Sequence, residues 1–298
     1  MKLPKEIERL GEYYLLRAQY LDISSENLLL VVWSNRVQNV TYNTVCKYET
    51  GRCTLHHKQT YSVAGHKLWA LPELVEAKLM TKEGYLQILP EYNRTEDNVW
   101  SHLAEISMDF NNTEKPGKVR FFPGASMDVV EILGVEFDSA GQAIVTYKAA
   151  GPLPSDRNIY HVSFNSTPHC VTCAQGRDCV RLRSLSPSAD GEHYVLTCAG
   201  EDLVPKEFLK RASDPNFSLT LIDNRALKRK MEGVVVARRV REKLPLPDGF
   251  EAIVQLDLPP GFSLTNPDRK RPLLVRVYAG PGSQSVKDGD YNDQGSVA

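Results

Sequence analysis

The 298 residues carry 36 basic and 37 acidic side chains, a net charge of -1 with no long block of one sign. That balance argues against nucleic acid as the main partner. A hydrophobic content of 42% excludes a disordered tail and supplies the core of one large all-β domain or two ordinary ones.

The first stretch, MKLPKEIERLGEYYLL, lacks the basic flank, apolar core and small-residue cleavage site of a signal peptide. No window reaches eighteen apolar residues, so no membrane span is read in the chain. Alone, that reads as cytoplasmic. Five N-x-S/T sequons, at Asn39, Asn93, Asn111, Asn165 and Asn216 among fourteen Asn, point instead to passage through the secretory pathway.

Helix-period patterns are scarce along the chain. Short alternating or apolar runs divided by Gly turns predict strands: ENLLLVVWSN, KEGYLQILPEY, VVEILGVEFDSAGQAIVTYKAA and LRSLSPSADGEHYVLTCAG. Turns at Gly51, Gly84, Gly141 and Gly191 recur irregularly, near the forty to fifty residues of a four-stranded propeller blade. A β-sandwich would give similar short strands, so spacing alone leaves both architectures open.

Cys46 and Cys53 flank a polar turn, KYETGR, and a pair facing across a hairpin suits a disulfide. Cys170, Cys173, Cys179 and Cys198 form a second cluster, whose C-x-x-C also fits half of a zinc site or a redox pair. The redox reading lacks a following βαβ helix, and the zinc reading lacks a second paired motif, although His169 and His193 lie nearby. The sequons and the even cysteine count favour disulfides. No metal and no cofactor are read from the chain.

The character changes after Leu227, and a domain boundary is placed near residue 233. ALKRKMEG predicts a short basic helix or turn. VVVARRVRE, EAIVQLDLPPGF and RPLLVRVYAG then predict three strands, the third buried on both faces. The basic residues from Arg225 to Arg241 read as a solvated face in preference to a binding patch, because Glu and Met are interspersed.

PLLVRVYAGPGSQ resembles the strand and loop that open the α/β-hydrolase domain in the dipeptidyl peptidase IV group of prolyl oligopeptidase-like serine peptidases. VVWSNRVQNVTYNTVCKYETGRC, NIYHVSFNSTPHCVTC and HYVLTCAG resemble that group's later propeller blades, in the same order. The resemblance runs from about Glu12 to Val286. It implies a mainly β chain: the second half of an eight-bladed β-propeller over residues 1–233, then the first strands of an α/β-hydrolase domain over 234–298. It also implies the pairings Cys46 with Cys53, Cys170 with Cys173, and Cys179 with Cys198.

By the same resemblance Tyr278 donates its hydroxyl to the oxyanion of the cleaved peptide. Charge develops on the carbonyl oxygen during acyl transfer, and a donor fixed by a rigid strand end stabilises it without reorganising. Gly280 and Gly282 allow a tight turn, which Pro281 stiffens. The bland alternative is that Tyr278 merely ends a strand. No G-x-S-x-G exists in the sequence, GASMD failing at its last position, and the seven His are tied to no credible Ser. In the family the triad lies beyond the point matching Val286, while an acidic pair for the substrate's amino terminus and a membrane anchor precede the matching region. The polar ending KDGDYNDQGSVA departs from the family's apolar continuation.

The resemblance thus implies a fragment of a secreted or membrane-tethered, extracellular dipeptidyl peptidase whose parent removes N-terminal dipeptides with Pro or Ala second. The fragment itself is expected to be inactive. The alternative is a non-catalytic ectodomain that binds protein partners such as a potassium channel. Those members have tended to lose the tyrosine that is kept at Tyr278, which favours descent from an active peptidase. Partner expectations are a peptide substrate for the parent, no nucleic acid, and a homodimer or protein partner through the propeller. Half a ring leaves open sheet edges, so poor isolated folding is expected.

Overall fold

The computed structural model describes residues 2–21, 27–75, 78–80, 83–109, 112, 114–151, 153–173, 179, 181–188, 193–199, 204–211, 214, 216–235, 237–247, 249–263, 272–277, 280 and 283–287. The chain forms two compact units, one of residues 1–150 with 158–171 and one of 151–157 with 172–298.

The first unit opens on a one-turn helix, α1 (Lys5–Glu8), followed by β1 (Tyr13–Leu21), β2 (Leu28–Asn35), β3 (Val40–Lys47) and β4 (Cys53–Thr60). These pair in chain order into an antiparallel sheet. A small hairpin, β5 (Ser62–Val63) and β6 (His66–Lys67), and a 3₁₀ turn (Pro72–Leu74) lead to β7 (Lys78–Met80), β8 (Gly84–Asn93), β9 (Asn98–Ser107) and β10 (Val119–Phe121). A third sheet holds β11 (Asp128–Phe137), β12 (Ala143–Ala150), β13 (Asn158–Val162) and β14 (His169–Cys170).

The second unit repeats the pattern with β15 (Arg181–Pro187), β16 (His193–Ala199), β17 (Pro205–Arg211) and β18 (Ser218–Ile222). The helix α2 (Arg225–Met231) buries none of its residues, and β19 (Arg238–Pro245) pairs with β20 (Glu251–Leu258) as a separate antiparallel hairpin. Each four-stranded sheet is a meander of consecutive strands, the topology of a propeller blade.

The sheets begin at residues 13, 78, 128 and 181, a somewhat steadier spacing than that of the glycines. Gly51 belongs to the turn between a blade's third and fourth strands, whereas Gly84 and Gly141 sit at the junction of the first and second. Mixing two hairpin positions made the repeat look irregular.

Apolar side chains of adjoining sheets in the first unit make its core. Leu28, Leu30 and Val45 pack with Tyr85, Leu89 and Ile106, and Leu86, Ile88 and Leu103 pack with Val129, Val145 and Tyr147. Tyr85 is fully buried, and enclosing a side chain of that size contributes roughly 2–3 kcal/mol. Its hydroxyl accepts a hydrogen bond from Asn43 Nδ2 at 3.0 Å, and the same amide nitrogen donates to Gln87 Oε1 at 2.9 Å, so these polar atoms are paired across sheets while Asn43 Oδ1 is left without a partner among the described residues.

Of RPLLVRVYAG, Arg271, Tyr278 and Ala279 lie outside the described residues, and residues 272–277 do not form the buried strand the apolar run predicts. These residues have no regular secondary structure, and Leu273, Leu274, Val275 and Val277 are 81%, 75%, 67% and 80% exposed. A strand buried on both faces needs a hydrogen-bonded neighbour to hold it, and among the described residues none pairs with this segment.

Candidate functional site

The segment around the Gly-Pro-Gly motif is the candidate approach to a reaction centre. Tyr278, Pro281 and Gly282 lie outside the described residues. Gly280 is described: its carbonyl accepts from the Ser283 backbone N–H at 3.1 Å and from Ser283 Oγ at 2.8 Å. Gln284 anchors the stretch that follows. Its Oε1 accepts from Arg157 Nη2, while its Nε2 donates to the Pro154 carbonyl at 2.7 Å.

Arg157 is itself fixed by donating Nη1 to the carbonyls of Pro154 and Asp156, at 2.9 and 2.7 Å. The turn beneath is closed by Asp156 N–H to Leu153 O at 2.9 Å, with Asp156 Oδ2 accepting from Leu153 N–H at 3.2 Å. A guanidinium fork suits this work because one planar group serves several oxygens at once. Sequence reasoning missed both residues, which stand 127 positions apart.

The cysteines all lie in disulfides. Cys46 and Cys53 are register partners on β3 and β4 with Cα atoms 4.0 Å apart. Cys179 is bonded to Cys198, whose side chain is fully buried. Cys170 and Cys173 are half-cystines. Among the described residues no group of three His, Cys, Asp or Glu is placed to hold a metal ion.

Of the sequon asparagines, Asn165 and Asn216 are exposed in turns, and Asn39 and Asn93 are half-buried at hairpin ends. Asn111 lies outside the described residues. Asn93 Oδ1 accepts from the Thr95 N–H at 2.9 Å. Asn39 Oδ1 accepts from Asn35 Nδ2 at 2.7 Å.

Within the first unit a cleft of about 600 Å³ is lined by Glu91, Asn93, His102, Arg120, Phe122 and Phe164, among others. Phe164 is stacked on Phe122 with centroids 3.8 Å apart, and Arg120 covers the Phe164 ring at 3.6 Å. His102 Nδ1 lies 2.7 Å from Glu91 Oε2. The sequence reading did not find this cleft, although Glu91 and His102 become diagonal neighbours once the β8–β9 hairpin register is known.

Residues 1–205 match the family model described as the dipeptidyl peptidase IV N-terminal region. The chain belongs to the dipeptidyl peptidase IV family. It is 23% identical over 94% of its length to dipeptidyl peptidase family member 1 of Caenorhabditis elegans, covering 34% of that protein. It is 25% identical over 99% of its length to the inactive dipeptidyl peptidase 10 of Mus musculus, covering 35%.

The crystal structure of Porphyromonas gingivalis dipeptidyl peptidase 4 superposes with a TM-score of 0.71 at 20% identity, over 94% of this chain and 36% of that one. The four meanders are therefore blades of a dipeptidyl peptidase IV propeller. The chain spans about a third of the length of the family members it matches. Among its described residues no helix is long and apolar enough to cross a membrane.

Proposed function

We propose that these residues serve a serine-type dipeptidyl peptidase that removes N-terminal dipeptides with Pro or Ala in the second position. The observation that carries the reading is the match of residues 1–205 to the dipeptidyl peptidase IV N-terminal region. In this reading residues 1–233 supply propeller blades, residues 234–298 open the peptidase domain, and Tyr278 is the oxyanion donor. The anchoring of Gln284 by Arg157 and Pro154 supports the reading, since it fixes the chain six residues beyond Tyr278. The protein is placed outside the cell, at the cell surface or secreted, with its sequon asparagines glycosylated and a homodimer or other protein partner meeting the propeller.

The nucleophile is supplied by other residues, because none of the 298 forms a G-x-S-x-G elbow. The 25% identity to the inactive mouse relative over 99% of the chain supports a second reading, a non-catalytic ectodomain that binds protein partners. Steady-state kinetics on the complete peptidase separate the two. Tyr278→Phe is expected to lower kcat about 10²- to 10³-fold while leaving KM nearly unchanged, the signature of a lost transition-state donor. An unchanged kcat overturns the role of Tyr278. A complete wild-type protein without turnover favours the second reading.

A further inference from the structure

Residues 123–127, in the connection from β10 to β11, form one wall of the 600 Å³ cleft through Pro123, Gly124, Ala125 and Ser126. Its central grip is His102 on β9, a side chain only 9% exposed. His102 Nδ1 lies 2.7 Å from Glu91 Oε2 on β8, and Nε2 lies 2.8 Å from the Ala125 carbonyl oxygen. A backbone carbonyl only accepts hydrogen bonds, and so does an ionised carboxylate. Both ring nitrogens must therefore donate, and only the imidazolium form does so.

The ring is sealed by a glycine. A Cβ on Gly124 would lie 2.4 Å from His102 Cε1, so backbone rather than water covers the imidazole edge. Two further carboxylates hold the same connection. Glu96, in the β8–β9 turn, accepts from Ser126 Oγ and from Trp100 Nε1, the latter at 2.7 Å, and Asp128 Oδ1 on β11 accepts from the Ser101 N–H at 2.8 Å. The charged groups around His102 are thus Glu91, Glu96 and Asp128, with Arg94 and Arg120 in the cleft lining.

We propose that His102 is a proton-gated latch: as an imidazolium it ties the 123–127 connection to both β8 and β9, and on losing its proton it keeps only one of its two hydrogen bonds and slackens that wall of the cleft. Burial alone would pull the His102 pKa down. The hydrogen bonds to Glu91 and Ala125, with the charges of Glu91 and Asp128, outweigh it and raise the pKa above the usual 6.5. A raised folded-state pKa means that the latch is fully closed below the unfolded value and is lost as pH climbs through the folded one.

The test is a pH titration of the full chain from 5.5 to 9, following the His102 ¹³Cε1 resonance alongside hydrogen exchange of residues 124–127 corrected for intrinsic rates. His102 is expected to titrate above 6.5, with protection of those amides falling about tenfold through the same midpoint. Titration at or below 6.5, or protection that stays flat through the transition, overturns the latch. In Glu91→Gln the amide can donate to a neutral Nδ1, so the midpoint should drop by about one pH unit or more. An unmoved midpoint in that variant also overturns it. Should the variant fail to fold, the wild-type titration decides alone.

Discussion

At the scale of single residues, the first unit holds two histidines in opposite electrostatic situations. His102 sits between acceptors that favour its charge, whereas His56, 1% exposed on β4, faces the Tyr85 hydroxyl at 3.3 Å and has no carboxylate partner among the described residues. Burial, with the nearby His57 adding to it, lowers the His56 pKa from 6.5 to about 4. The sign follows from linkage: the unfolded chain takes up the proton first, so stability is full above 6.5 and drains away as pH falls towards 4. The expected loss from His56 is about 2 kcal/mol between pH 7 and 5. Urea denaturation of wild type and His56→Asn across that range checks it, since the variant's stability should depend less steeply on pH. Equal slopes would show that His56 carries no such linkage. Neither histidine advertises its role in the sequence, because HHK in a strand and SHL in another say nothing of the groups opposite them.

At the scale of elements, blade strands were legible because their burial alternates or runs apolar between turns. ENLLLVVWSN contains β2, and VVEILGVEFDSAGQAIVTYKAA contains most of β11 and all of β12. The basic run ALKRKMEG became α2 with its side chains in solvent. The edge strand β18 was harder to read, since all five of its residues are exposed and no alternation marks it. Residues 272–277 were misread for the converse reason: their composition suits a strand, but pairing depends on partners that composition does not show.

The Cys179–Cys198 bond, spanning 19 residues, ties the segment ahead of β15 to β16. On the chain-entropy account, closing such a loop stabilises by roughly 3 kcal/mol. Replacing both cysteines by alanine should lower the denaturation midpoint of the second unit accordingly and speed its limited proteolysis. Unchanged cleavage rates would mean that the β15–β18 sheet stands without the bond.

At the scale of the whole molecule, the match to the dipeptidyl peptidase IV N-terminal region and the TM-score of 0.71 give the described sheets their architecture. The family was legible in the sequence through the order of its motifs rather than through any one of them. The anchoring of Gln284 and the latch at His102 were not, because each joins residues through the folded backbone. The division of labour in the proposal is physical: blades and an approach loop position a substrate, while a nucleophile, base and orienting acid perform acyl transfer. Assaying the purified 298-residue chain with a Gly-Pro chromogenic substrate tests that division most directly. No turnover above buffer is predicted, and hydrolysis abolished by a serine-directed inhibitor would contradict the account.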